Sequence, residues 1–310
     1  MTQARMRCVT ADDMEAVLGC LLAPQIRHMC ATLDLRYRGL SKTARDAYLL
    51  DVLRVLSEED LPKAGPHRLP DWERGWSENL AAVRERADNV AVIPRYHGKH
   101  HLARWRQEIV SPAVPGLDYR LHRIVVDWAI SEYLSDVDTI YEFGCGPAYH
   151  LLSARKFNAK GRLVGLDWAS ASQAIIREIV AKGIESDIEG RSFDLLTPDE
   201  GLDLSPRGGV LTVAALEQVG DQHDRFVDYL LAKRPSICVH LEPIDELLDQ
   251  ENLLDYLSLM YCRKRRYLSG FLNRLRQLEA DGLLRVIDAR RTYSGSYFIE
   301  GHSLVVWAPV

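Results

Sequence analysis

Nothing in this 310-residue chain reads as a staple, an anchor or a nucleic-acid arm. Its six cysteines, Cys8, Cys20, Cys30, Cys145, Cys238 and Cys262, form no CxxC pair, which argues against a zinc site and a disulfide framework and for buried reduced thiols. No stretch of 18 apolar residues occurs, and the N-terminal run has an acidic break before a short apolar segment, wrong for a secretory leader. A membrane partner is therefore not expected, and the expected compartment is the cytoplasm. Basic residues are not in excess: the formal charge is -5, which speaks against a nucleic-acid partner. Repeats and low-complexity tracts are also missing. What is present, 47% hydrophobic and 27% charged residues, is the composition of an ordinary globular protein with a substantial core.

Periodicity divides the chain into three parts. Residues 1–90 read as a helical domain. Thr10 caps a helix carrying Asp12 and Asp13 in its first turn, and Ser41 caps a second with Ala44, Tyr48, Val52 and Leu56 at i, i+4. After Pro62, Pro66 and Pro70, a third places Trp72, Trp76, Leu80 and Val83 on one stripe. Residues 91–118 mix prolines, basic residues and aromatics and read as an irregular connector. From 119 to 310 a helix is followed by short apolar runs alternating with helical patterns: TIYEF, RLVGLD, RSFDLL, GGVLTVAAL and SICVHLEP. A long helical stretch and two last strands, LLRVIDARR and SLVVWAPV, complete the chain. Such alternation specifies an α/β protein with a doubly wound, mostly parallel sheet.

The sharpest motif is Glu142-Phe143-Gly144-Cys145-Gly146-Pro147-Ala148, directly after the first of these strands and opening a helix. Glycines there allow a tight turn and close backbone approach to a ligand, and Asp167 at the end of the second strand can accept ribose hydroxyls. A dinucleotide site would read GxGxxG, but Tyr149 occupies the last glycine position, and an acidic Glu142 beside the loop suits a cationic ligand better than a pyrophosphate.

With Asp194 and the terminal strand pair, these residues resemble a class I S-adenosylmethionine-dependent methyltransferase of the small-molecule type, over residues 119–310. The resemblance implies a Rossmann-like seven-stranded sheet with an antiparallel last strand, and S-adenosylmethionine as cofactor. The family loop is ExGxGxG, and this chain departs from it at Pro147 and Ala148. Carried over, the likeness assigns the methionine part to the Glu142, Gly144, Cys145 and Gly146 loop and the ribose to Asp167. It gives adenine to Trp168, Asp194 and Leu195, and the flank of the sulfonium to the segment around Ala215.

A methyl acceptor that loses a proton needs a base at the carboxyl edge of the sheet, where Glu217, His223 and Glu242 stand; His240, inside a strand, reads as a core residue. In the connector, Tyr96, His97, His100, His101, Arg104 and Arg106 offer donors, and an arginine there can pair with the cofactor carboxylate. His97 and His101 stand four apart, but in an irregular connector and not on the helix that many histidine sites use, so no metal is expected. The basic run Arg263 to Arg266 is either a solvated face or a contributor of Arg266 and Tyr267 to the substrate cleft. The function expected is methyl transfer to a small molecule, favouring a sugar or natural-product hydroxyl, with residues 1–90 as a cap. The alternatives are another displacement on the same cofactor, or a protein methyltransferase. A small-molecule acceptor is the expected partner, with a homodimer as the protein partner considered.

Overall fold

The computed structural model describes residues 5–86, 90–94, 98 and 100–310. Strand β1 (Arg7–Cys8) leads into α1 (Ala11–Leu18), which opens on a reciprocal cap: Thr10 accepts from the Asp13 amide while the Asp13 carboxylate accepts from the Thr10 amide. Helix α2 (Pro24–Thr32), β2 (Arg36–Gly39), α3 (Lys42–Ser57, capped by Ser41) and α4 (Leu69–Glu85) follow.

Two expectations are corrected here. The first 90 residues are not purely helical, because β1 and β2 pair with each other. The stretch from 91 to 118 is not irregular throughout: β3 (Ala103–Trp105) and β4 (Glu108–Pro112) form an antiparallel hairpin. Its two-residue turn, Arg106-Gln107, has both φ angles positive, at 50° and 58°. Turns of this kind normally use Asn-Gly or Asp-Gly, so the hairpin carries none of its usual sequence signal. With β11 (Ser294–Gly295) these strands make a five-stranded sheet in the order β1-β2-β4-β3-β11, which ties the N-terminal segment to the C-terminal one.

Helix α5 (Leu117–Tyr133) leads into the large sheet. Its elements are β5 (Thr139–Phe143), α6 (Tyr149–Ala154), β6 (Arg162–Asp167), α7 (Ser170–Ala181), β7 (Ile188–Ser192), β8 (Gly208–Val213), α8 (Asp224–Lys233), β9 (Ile237–Glu242), α9 (Leu253–Arg265), α10 (Phe271–Ala280), β10 (Leu284–Arg290) and β12 (Ser303–Pro309). The order is β10-β12-β9-β8-β5-β6-β7, parallel except for β12, which runs antiparallel to both neighbours. This is the seven-stranded Rossmann-like arrangement that the resemblance implied. The order reverses at β5, the first strand of the sheet, so the loop after it opens at the switch point where doubly wound sheets bind ligands.

Each face of the sheet is buried. One core joins Ile140, Leu163 and Leu211 to α5 and α7 and extends to Met14, Leu18 and Ile26 of the N-terminal segment. The other gathers Phe143, Phe193, Phe226, Tyr229 and Trp307. Gly165 in β6 is in close contact: a Cβ built there stands 2.6 Å from Ile176 Cδ1 and 2.8 Å from Cys145 Sγ. Gly165→Val is therefore expected to lower the free energy of unfolding by about 1–3 kcal/mol through overpacking. Urea denaturation checks this, and an unchanged midpoint contradicts the packing described.

Candidate active site

Sheet register brings the glycine loop and the end of β6 together. Phe143 pairs with Leu166, and the Gly144 and Cys145 amides both donate to the Leu166 carbonyl, at 2.7 and 3.2 Å. Asp167 then closes the turn: one carboxylate oxygen accepts from the Gly146 amide and the other from the Ala169 amide, each at 2.8 Å. Burial, only partly offset by these amide donors, pushes its carboxyl up to about 6. Gly144 and Gly146 take positive φ, and so does Ala148 at 62°, where the family has glycine. A Cβ on Gly144 would stand 2.3 Å from that of Ala215, so the loop needs glycine where it abuts the turn after β8.

Around this loop lies a pocket with apolar and aromatic walls. Of the residues expected to touch the cofactor, Gly144, Cys145, Gly146, Asp167, Trp168, Asp194, Leu195 and Ala215 all line it. Glu142 does not. It is buried behind the loop, one oxygen 2.7 Å from His150 Nδ1 and the other without a partner among the described residues. His150, at the start of α6, lines the pocket, as do Tyr149 and Gln218. Gln218 belongs to the segment expected to flank the sulfonium; His150 carries no signal in the sequence beyond its place one helical turn after Gly146.

Trp72 and Trp76 of α4 complete the wall, stacked with ring centroids 5.6 Å apart. Trp76 lies directly over the loop: a Cβ on Gly146 would stand 2.8 Å from its ring. Glu73, between them, holds the helix there by accepting from the Ala171 amide at 3.0 Å and the Ser170 hydroxyl at 2.7 Å, a carboxylate on the N-terminal end of α7.

None of the three residues expected to act as base lines the pocket. Glu242 is fully buried and its carboxylate accepts from the Ala215, Leu216 and Glu217 amides at 3.0 to 3.3 Å, holding the turn after β8. His223 has its Nε2 against the Ser269 carbonyl at 3.0 Å. Glu217, partly buried, accepts from Gln218 Nε2 at 3.0 Å. The orphan amides of a short turn claim Glu242, a neighbouring loop claims His223, and Gln218 engages Glu217. His240 is a core residue, bonded to Thr212 and to the Trp307 indole.

Neither Arg104 nor Arg106, the connector arginines expected to pair with the cofactor carboxylate, lines the pocket, although Pro94 does. Arg104 is buried and donates to the Leu254 and Phe298 carbonyls, Ser258 and Tyr48, while Arg106 pairs with Asp13. His100 stacks on Tyr297 and His101 tilts toward the same ring. Tyr96 and His97 lie outside the described residues. Among the described residues no group of three potential ligands could hold a metal ion, and no helix is long and apolar enough to cross a membrane.

No protein-family model and no curated protein matches this chain. Solved structures do, at low similarity. An O-methyltransferase family protein from Burkholderia thailandensis is 14% identical with a TM-score of 0.48, over 99% of this chain and 89% of that one. The N-methyltransferase NodS from Bradyrhizobium japonicum WM9, in complex with S-adenosyl-L-homocysteine, is 15% identical with a TM-score of 0.45, over 61% of this chain and 87% of that one. The neocarzinostatin-biosynthesis O-methyltransferase NcsB1, in complex with S-adenosylmethionine and 2-hydroxy-5-methyl naphthoic acid, is 16% identical with a TM-score of 0.44. That match covers 63% of this chain and only 58% of the other.

The buried carboxyl of Glu242 gives a pH test of the turn it holds. Burial raises it to about 7, above its ordinary value, so the folded state holds the proton more tightly than the unfolded one. The penalty of the charged form is fully present above that pH and is relieved as pH falls toward the ordinary carboxylate range. Relative to Glu242→Gln, the wild-type protein should therefore gain on the order of 3 kcal/mol between pH 8 and pH 4.5. Paired urea titrations read the difference; a flat one contradicts the environment described.

Proposed function

We propose that this chain is an S-adenosylmethionine-dependent methyltransferase acting on a small molecule. The observation that carries the reading is the joining of the glycine loop to Asp167 at the switch point of the sheet, beneath a pocket with aromatic walls. The residues present fit an adenosyl ligand. Trp168, Phe193 and Leu195 offer flat apolar surface for adenine, and Asp194 stands beside them. Each Asp167 oxygen has one amide donor and so keeps a lone pair for a ribose hydroxyl. The Glu142 and His150 pair lies where the amino-acid part would be held, with His150 in the pocket wall and its Nε2 buried without a partner among the described residues.

When bound, S-adenosylmethionine supplies a methyl group already activated by positive sulfur. The protein's work is then to orient the acceptor and exclude water. Helix α4 serves the second task, with Trp72 and Trp76 as the cover and Glu73 as its fastening; in this reading residues 1–90 form the cap of a catalytic region spanning 119–310. Orientation falls to groups at the carboxyl edge, where Gln218 is seated by Glu217. A hydroxyl acceptor is favoured over an adenine, cytosine or glutamine amino group, because the turn after β8 reads Ala214-Ala215-Leu216-Glu217-Gln218 and lacks the (N/D)PPY tetrad of enzymes that methylate those groups.

Calorimetry with two ligands tests the assignment. S-adenosylhomocysteine should bind in a 1:1 ratio, and 5′-methylthioadenosine, which lacks the amino-acid part, more weakly. His150→Phe should weaken the first by about tenfold, the value of one charge-assisted hydrogen bond, and leave the second unchanged. Equal loss for both ligands assigns His150 a structural role only. Binding of neither ligand by the wild-type protein contradicts the cofactor reading. Asp167→Ala should weaken both, since it removes the ribose acceptor common to them and loosens the loop.

A further inference from the structure

A second cleft of about 720 Å³ opens beside the first pocket. Residues 59–67, on the approach to α4, form one wall; the turn after β8, Asp245 after β9 and the end of α9 form the other. The two spaces share Gln218 and Val219. Gln218 is 8% exposed, its Nε2 donates to Glu217, and its Oε1 is buried without a partner among the described residues. A buried amide carbonyl left unpaired is costly, and a ligand donor is one way to satisfy it.

The basic run resolves here into two roles. Arg265 stacks on Tyr261 and Tyr267, 5.6 and 5.0 Å from their centroids, and donates to the Tyr261 hydroxyl; Lys264 donates to the Leu56 carbonyl. Arg263 and Arg266 line the cleft, Arg266 from a left-handed cap at φ 52° that ends α9. Lys63 is a third cation on its wall, and Glu59, Asp60 and Asp221 are three anions; all six are exposed and none is ion-paired to a described residue. Asp245, a fourth carboxyl of the wall, is half-buried, and burial and the neighbouring Glu246 push it up to about 7. Three exposed cations against three exposed anions and this one weakly acidic carboxyl leave little net charge to concentrate an ion of either sign. They do put strong donors and strong acceptors on each wall: Lys63 with Glu59 and Asp60 on one, Arg263 and Arg266 with Asp221 on the other. A hydroxyl is the group that satisfies both, having one proton to give and two lone pairs to offer. Tyr267 adds a partly buried ring, apolar surface for C–H groups.

We propose that this cleft is the acceptor site and that it takes an uncharged polyhydroxylated molecule, a saccharide ring, with one hydroxyl donating to Gln218 Oε1 at the mouth of the first pocket. The proposal rests on the methyl-transfer reading for the purpose of the site, but binding in the cleft is measurable without it. Gln218 is here a positioning residue. Asp221 and Arg266 hold other hydroxyls as acceptor and donor.

Saturation-transfer NMR on the full chain, with methyl α-glucoside, methyl α-galactoside and methyl α-mannoside at millimolar concentration, tests it. At least one glycoside should show transfer, and neither pyrophosphate nor spermidine should displace it. Gln218→Leu should weaken that binding by about tenfold, the cost of leaving one good hydrogen bond unmade, and Asp221→Ala with Arg266→Ala should abolish it. The melting temperature of the doubly substituted protein should be unchanged, since both side chains are exposed. No transfer to any of the three glycosides, transfer that survives the double substitution, or displacement by either ion overturns the proposal. S-adenosylhomocysteine titrated into the same samples separates the two readings. Glycoside binding without it contradicts the cofactor and leaves the cleft assignment standing, and the reverse contradicts the cleft.

Discussion

The site is organised by one buried carboxylate. Asp167 accepts from the Gly146 amide on one side and the Ala169 amide on the other, so the turns that follow β5 and β6 cannot move independently. Burying it costs free energy, as its raised carboxyl records, and the two amides return part of that cost. The consequences spread outward. With Gly146 fixed, α6 starts where His150 meets Glu142; with Ala169 fixed, α7 presents its N-terminal end to Glu73. Helix α4, held there, lays Trp72 and Trp76 across the loop.

The carboxyl edge of the sheet is thereby divided into two unlike environments. The first pocket is aromatic, and polar groups in its wall are oriented by others: His150 by Glu142, Asp167 by two amides, Asp194 by the Leu196 amide and the Thr197 hydroxyl. Next to it the cleft is lined with exposed charges of both signs, with no ion-pair partner among the described residues. Gln218 stands at their junction, and Glu242, by gathering three amides of its turn, keeps that junction in place. A carboxylate that looks catalytic from its place at a strand end is thus a backbone anchor.

Much of the large sheet was legible because its signals are local. Strand-length apolar runs, the glycine loop and the acidic residues closing β6 and following β7 each occupy a few consecutive positions. The exception is β7, which lies at Ile188–Ser192, mostly ahead of the RSFDLL run read as the strand, because its own residues, IEGRS, are not an apolar run. The small sheet was not legible, since β1 and β11 have two residues each and the β3–β4 turn uses Arg106 and Gln107 in conformations usually given to glycine and asparagine. Nor was the second cleft, whose walls come from segments some 150 residues apart in sequence, around Lys63 and around Gln218. The roles of Glu242, His223 and Arg104 were illegible for a related reason: each is decided by a backbone partner that no spacing rule reveals.

The central claim is that an adenosyl ligand sits on the Asp167-fastened loop, and amide hydrogen exchange with and without S-adenosylhomocysteine addresses it at the residues concerned. Bound ligand should slow exchange across 144–149 and at Trp168 and Ala169, while NAD at the same concentration leaves these amides unchanged. Protection that appears elsewhere with none on this loop, or equal protection by NAD, contradicts the account.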